Sequence, residues 1–289
     1  MSQTVLSCLK KGIRLLESAG VPEAQISAEE LLSHVLRKPR VFLYLNPEAQ
    51  IDCNFEKEFE SLLGKRAGRY PLQYLLQSVP FRNVTLEVGE GCLIPRPETE
   101  ILVDFVFGRL NRTDDCIKVL DIGTGSGNIA ISIAKERPHW MVTATDISRE
   151  ALYYAAKNAD RNGVAYQVRF LQADLCQGLE ADQFDVVVSN PPYLTYGELD
   201  RMQPELDFEP RLAFDGGGDG LDFFRRITQA TKQVLNQNGF IFFEVGMGQA
   251  SSVRQILQEN GFRSVEISRD NNGIERIVSG VLGNAVIPA

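Results

Sequence analysis

Histidine is almost absent. The chain of 289 residues holds two, His34 and His139, far apart and with no second candidate ligand at metal spacing. Cysteine is sparse as well. Cys8, Cys53, Cys92, Cys116 and Cys176 are odd in number, scattered and never arranged as C-x-x-C. That excludes a disulfide framework or a zinc ribbon and leaves reduced, mostly buried thiols as the expectation. No metal site is expected. No apolar run reaches the roughly 18 residues of a membrane span. The N-terminal stretch MSQTVLSCLKKGIRLLES is broken by Lys10, Lys11 and Arg14 and has no apolar core ahead of a small-residue cleavage site. A cytoplasmic protein with no membrane partner is expected. A dense Lys/Arg stripe is also missing. With 38 acidic against 30 basic residues the net charge is −8, so the overall field repels polyanions, and a nucleic-acid partner would need a local basic patch to neutralise phosphates. No direct nucleic-acid contact is expected.

What is present is the composition of an ordinary globular protein, 44% hydrophobic and 24% charged. A chain of this length buries a full core without staples and suits one large or two modest domains. Its first part reads as helices. Val5, Leu6, Leu9, Ile13 and Leu16 recur at helical spacing, and so do Phe55, Phe59, Leu62 and Leu63. Between them, Ser27-Ala-Glu-Glu30 predicts a capping box opening a second helix at Ser27. Residues 79–96, with VPFRNVTLEV and then Gly89-Glu-Gly91, read as a hairpin linker. The boundaries expected are a helical domain over 1–78, the linker over 79–96 and a second domain over 97–289.

From residue 97 strands and helices alternate. Residues 117–121, 140–145, 168–172, 184–189 and 239–245 predict strands, with helices over 129–134, from the Ser148 N-cap, over 221–235 and over 251–259. Residues 262–268 and 274–279 flank the turn Asp270-Asn-Asn-Gly273. Such alternation predicts an α/β fold, a Rossmann-like, doubly wound, mostly parallel sheet ending in an antiparallel pair.

Two motifs carry chemistry. The first strand runs into Gly123-Thr124-Gly125-Ser126-Gly127, and glycines let a backbone turn sharply and approach a ligand closely. Residue 128 is Asn, so the dinucleotide fingerprint is not met. Asp146, at the carboxyl end of the second strand, can accept hydrogen bonds from both ribose hydroxyls of an adenosine moiety, because Ser148 already serves as the cap. Together they favour an adenosine-containing ligand without a pyrophosphate, S-adenosyl-L-methionine, over NAD.

The second motif, Asn190-Pro191-Pro192-Tyr193, directly follows the apolar strand FDVVVS. Two prolines stiffen the turn and remove N–H donors, leaving carbonyls free to accept. A planar amide or ring –NH2 is a poor nucleophile because its lone pair is delocalised. Its two N–H groups can donate to Asn190 Oδ1 and the Pro191 carbonyl, which favours pyramidalisation toward a sulfonium methyl, while Tyr193 packs on the planar group. Orientation then supplies most of the catalysis. Without a strong base in the motif, the proton leaves after transfer.

With these motifs the chain resembles the class I S-adenosylmethionine-dependent methyltransferases of the NPPY group. More narrowly it resembles the release-factor glutamine N5-methyltransferases (the HemK/PrmC family). The resemblance rests on Arg66-Ala-Gly68-Arg-Tyr-Pro71-Leu-Gln-Tyr74, Ile94-Pro-Arg-Pro-Glu-Thr-Glu100, residues 121–127, Asn190 to Tyr193, Glu209-Pro-Arg-Leu-Ala-Phe-Asp-Gly-Gly217 and Gly273-Ile-Glu-Arg276. It implies a small helical substrate-recognition domain, a hairpin linker and a Rossmann-like catalytic domain. It also implies methylation of the glutamine in the Gly-Gly-Gln motif of class I peptide chain release factors, in support of translation termination, by a monomer. Cofactor contacts would come from Gly123, Thr124, Gly125, Ser126, Gly127, Asp146, Asp174, Leu175 and Asn190. Substrate contacts would come from Asn190, Pro191, Pro192 and Tyr193, with Asn190, Pro191 and Tyr193 catalytic. Leu175 stands where the family often has an aromatic beside the adenine, and Asp174 could accept from the adenine amino group.

Other features stay open on sequence alone. Residues 95–100 either start a helix or line the site. The long connection 194–220 suggests a functional lid, with hinge freedom at Gly216-Gly-Gly-Asp-Gly220, and Glu209 and Arg211 could form an internal salt bridge. An adenine-N6 methyltransferase would reuse the same NPPY loop, a ribosomal protein could be the substrate, and an idle binding module could keep the fold.

Overall fold

The computed structural model describes residues 3–110 and 116–283. The chain divides into two compact units, one comprising Met1–Ser78 with Gln203–Phe208, the other Val79–Met202 with Glu209–Ala289.

The first unit is helical: α1 (Val5–Ser18), α2 (Ala24–Leu36), α3 (Arg40–Leu45), α4 (Cys53–Ala67) and α5 (Leu72–Leu76). Val5, Leu9 and Leu16 of α1 meet Leu31 and Leu32 of α2 and Phe59 and Leu63 of α4 in one core. Thr4 caps α1, its hydroxyl accepting from the Ser7 N–H. The capping box at Ser27 does not form. Helix α2 begins a turn earlier, at Ala24, behind Glu23 in a left-handed conformation, and this buries Ala24 and Ala28 on the core face. Ser27 is instead buried inside the helix, its hydroxyl accepting from Arg66 Nε at 3.4 Å. The motif 66–74 holds the Gln203–Phe208 segment. Glu205 accepts from Arg66 Nη1 at 3.0 Å and from Arg69 Nε and Nη2 at 2.8 and 2.6 Å, and the Phe208 ring packs edge-on to Tyr70. These arginines hold the Glu205 carboxyl below its ordinary range despite its partial burial.

The second unit opens with a hairpin, β1 (Val79–Phe81) and β2 (Val84–Leu86), followed by α6 (Thr99–Arg109). Then come β3 (Lys118–Ile122), α7 (Asn128–Glu136), β4 (Met141–Asp146), α8 (Arg149–Arg161), β5 (Val168–Gln172) and β6 (Phe184–Ser189). The chain closes with α9 (Tyr196–Leu199), α10 (Asp222–Thr231), β7 (Leu235–Glu244), α11 (Ala250–Glu259), β8 (Phe262–Arg269) and β9 (Glu275–Leu282). The sheet order is β5-β4-β3-β6-β7-β9-β8, parallel from β5 to β7, with β9 antiparallel to both its neighbours. Strand β6 shows why the sheet is covered on both faces. Val186 and Val188 enter the core with α6 and α7, while Val187 enters the core with α10 and α11. Each fully buried valine contributes roughly 1.5–3 kcal/mol, so a continuous apolar run is stable only between two helical layers.

Helix α10 stops at Thr231, short of the expected 235. Val234 and Leu235 leave it to pair with Phe184 at the start of β6, and the polar stretch Asn236-Gln-Asn is carried past a register shift inside β7. No helix among the described residues is long and apolar enough to cross a membrane.

Candidate active site

After β3 the chain runs to β4 and β5 on one side, whereas β6, on its other flank, leads to β7. The strand order reverses there, and this is where open α/β sheets hold ligands beyond the strands' carboxyl ends. A cavity of about 250 Å³ occupies that position.

Its floor is the loop between β3 and α7. Gly123 and Gly125 line it with φ of +74° and +56°, in the left-handed region where side chains are strained, and a Cβ added at either would project into open space. Thr124, Ser126 and Gly127 do not line the cavity. Thr124 is buried and donates to Asp121 Oδ2 at 2.6 Å, Ser126 is buried, and Gly127 stands at the N-cap of α7. The Gly123 and Thr124 N–H groups both donate to the Thr145 carbonyl at 2.9 Å. These bonds tie the loop to the end of β4. Asp121 is fully buried, and burial pushes its carboxyl up to about 7.

Asp146 forms one wall. Its Oδ1 accepts from the Ser148 N–H and its Oδ2 from the Gly125 N–H, both at 2.9 Å. Burial raises its pKa, and the backbone donors pull the other way. Ser148 caps α8 through Ala151, so Asp146 braces the glycine loop and keeps a second lone pair on each oxygen. Beside it, after β5, the Ala173 N–H donates to the Asp146 carbonyl at 3.0 Å, and Asp174 and Leu175 follow in the lining, the latter with φ of +57°. Asp174 is held by Arg226, whose Nη2 donates to both its oxygens at 2.8 Å. An aromatic ring reaches the lining from α10. Phe223 lines the same cavity, with the Arg226 guanidinium 5.2 Å from its ring centroid. Phe223 lies 48 positions beyond Leu175, and only the fold brings the two together.

Asn190, Pro191 and Pro192 line the cavity opposite the glycine loop. Ser189 anchors the end of β6 to β3 by donating to the Ile122 carbonyl at 2.7 Å. Asn190 Nδ2 donates to Thr99 Oγ1 at 3.1 Å, which leaves Oδ1 on the opposite edge of the amide. Tyr193 does not line the cavity. It packs into the core beside α10 and α11, its carbonyl accepts from Gln249 Nε2 at 2.8 Å, and burial pushes its phenol up to about 12. Behind Asn190 stands Glu244, a buried carboxylate that reads in sequence only as the end of the run FIFFE.

One expectation about the flanking motifs changes. Glu209 does not pair with Arg211. It accepts from Arg96 Nη2 at 2.6 Å and from the Ile94 N–H at 2.9 Å, pinning the segment before α6. Gly216 serves a close approach, since a Cβ there would lie 2.6 Å from Tyr193 Cα. The cavity thus offers fixed acceptors beside apolar walls, an arrangement that binds and orients planar N–H donors.

Comparison with known proteins agrees with this geometry. The family model of the PrmC N-terminal domain matches residues 7–76 and that of the methyltransferase small domain matches residues 99–203. The release factor glutamine methyltransferase of Geobacter sulfurreducens is 39% identical over 93% of this chain and 93% of its own. That of Thermodesulfovibrio yellowstonii is 38% identical over 87% of this chain and 90% of its own. Among solved structures, the Thermus thermophilus 16S rRNA N2 G1207 methyltransferase, in complex with AdoMet and guanosine, shares the fold. Its TM-score is 0.53 at 16% identity, covering 71% of this chain and 49% of that one. A cavity at the β3/β6 switch point, a glycine loop and an NPPY turn, in a chain matched along nearly its whole length, place this protein in the release factor glutamine methyltransferase family.

Proposed function

We propose that this enzyme transfers a methyl group from S-adenosyl-L-methionine to the side-chain nitrogen N5 of the glutamine in the Gly-Gly-Gln motif of class I peptide chain release factors. It does so in the cytoplasm, as a monomer and without contacting nucleic acid directly. The observation that carries this reading is the Asn190 amide at the cavity, with its donor committed to Thr99 and its acceptor oxygen left over.

The cradle suits the cofactor. Gly123 and Gly125 leave room for close backbone approach, Asp146 has lone pairs for ribose hydroxyls, and Phe223, Leu175 and Ile147 give apolar faces for a purine. When bound, S-adenosyl-L-methionine supplies an electrophilic sulfonium methyl group. Asn190 Oδ1 and the Pro191 carbonyl hold the two N–H groups of the substrate amide and turn its lone pair out of conjugation. Pro191 and Pro192 keep the turn stiff, so little reorganisation accompanies the reaction. Tyr193 shapes the turn from behind through its ring and its carbonyl. The proton leaves after the carbon–nitrogen bond forms, when the nitrogen has become strongly acidic, so the acceptors need not be strong bases.

In an Asn190→Ala variant, turnover at saturation falls about 100-fold or more while calorimetry finds cofactor affinity close to wild type. Lost cofactor binding with unchanged turnover at saturation would contradict the role assigned to Asn190.

A further inference from the structure

Glu244 ends β7 inside an apolar stretch whose Phe242 and Phe243 are fully buried. It is itself only 3% exposed, and its Oε2 has no hydrogen-bond partner. A carboxylate removed from water with an oxygen unmet destabilises the fold unless it serves something else. The mechanism above makes no use of it.

Its neighbour Thr99, at the start of α6, is 1% exposed, and both the Thr99 hydroxyl and the Asn190 amide hydrogen-bond toward Glu244. A hydroxyl has one proton to donate, and an ionised carboxylate can only accept. The Thr99 proton therefore goes to Glu244, and what Thr99 turns toward Asn190 is a lone pair. A lone pair takes the Asn190 Nδ2 donor, seen at 3.1 Å. Oδ1 is then forced to the other edge, on the side of the cavity. With the Thr99 proton released, the amide could reverse and present –NH2 to a substrate –NH2, which neither group can use.

We propose that Glu244 is a positioning residue for methyl transfer, acting on the Asn190 amide directly and through the Thr99 hydroxyl to fix which edge of that amide meets the acceptor nitrogen. The inference rests on the role given to Asn190 above. Burial pushes the Glu244 carboxyl up to about 7. Thr99, then Arg276 of β9, favours its ionised form, Glu98 ahead of α6 opposes it, and Asn190 favours it. Arg276 is in turn held by Asp270, and the Tyr193 phenol and Arg96 complete the charged and titratable surroundings. Below about pH 7 the carboxyl takes up a proton and can itself donate, Thr99 is no longer constrained, and turnover falls. Asp121 also titrates near 7, so the decisive comparison is between variants and wild type.

The test measures turnover at saturating cofactor and release factor from pH 5.5 to 8.5 for wild type, Glu244→Gln, Thr99→Val and Thr99→Ser, with cofactor affinity by calorimetry. Glutamine can donate to Thr99 as easily as it accepts. Glu244→Gln therefore loses about tenfold in kcat at pH 8 and loses the part of the acid limb that belongs to Glu244, with KM and cofactor affinity unchanged. Thr99→Val matches it in kcat, and Thr99→Ser recovers wild-type rates. Wild-type kcat and acid limb in Glu244→Gln, or no recovery in Thr99→Ser, overturn the proposal while leaving wild-type methyl transfer intact. Cofactor affinity lost in step with kcat also overturns it, making the pair structural. A wild-type enzyme that methylates no release factor overturns the reading beneath it, and the inference with it.

Discussion

Asp146 and Asp174 are both carboxylates at strand ends beside one cavity, yet their neighbours give them different parts. Asp146 has its two oxygens on backbone N–H groups, which fixes the glycine loop and leaves outward lone pairs. Asp174 is tied by both oxygens to Arg226, whose guanidinium lies beside Phe223. Substituting Asp146→Ala removes a charged acceptor and the brace on Gly125 together. The cofactor dissociation constant should rise about 10- to 100-fold, measured by calorimetry, with far less change in turnover at saturation. An unchanged constant would remove Asp146 from the ribose. At this scale the sequence shows residues whose chemistry is local to a motif: Gly123, Asp146, Asn190. It does not show Phe223, which reaches the cavity on α10 beside the Arg226–Asp174 pair, or Thr99 and Glu244, which meet only because α6 and β7 converge behind Asn190. A glutamate ending the apolar run FIFFE is the one signal that marked Glu244.

Elements hold the site through close contacts between loops. The turn after β6 is clamped by the segment before α10, where the Leu194 N–H donates to the Phe214 carbonyl and the Gly216 N–H to the Leu194 carbonyl, both at 2.9 Å. Gly216 lies so close that Gly216→Ala would place a methyl 2.6 Å from the Tyr193 Cα, against backbone that cannot rotate aside. The expected cost is about 1–3 kcal/mol of stability, read by denaturant unfolding. Because the strain falls on the catalytic turn, kcat should drop about tenfold or more. Wild-type turnover in this variant would show that the clamp does not set the turn. Strands were legible where both faces are buried, as in β6, because such a strand is a bare apolar run. The start of β7 was not, because Asn236-Gln-Asn reads as a loop until Leu235 pairs with Phe184. The start of α2 was hidden because Ser27 and Glu30 match a cap locally, whereas burial of Ala24 decides the matter from a distance.

At the scale of the whole molecule, pH ties the site to stability. Burial raises the folded-state pKa of Asp121 to about 7, above the ordinary Asp value of about 4 in the unfolded chain. Between those values the native state holds a proton that the unfolded state has released, so stability falls as pH rises through that window. Asp121→Asn keeps an acceptor for the Thr124 hydroxyl and has no proton to lose. Its stability relative to wild type should therefore increase from pH 5 to pH 7.5 in denaturant titrations, and a difference independent of pH would show that Asp121 does not titrate there. The net charge of −8 disfavours a polyanionic partner. The central claim is tested most directly by radiolabelled methyl transfer from S-adenosyl-L-methionine to a purified release factor, beside its Gln→Ala variant in the Gly-Gly-Gln motif and a duplex DNA control. Label on the wild-type factor alone is the predicted result. Equal label on the Gln→Ala factor, label on the DNA, or none on the factor would contradict it.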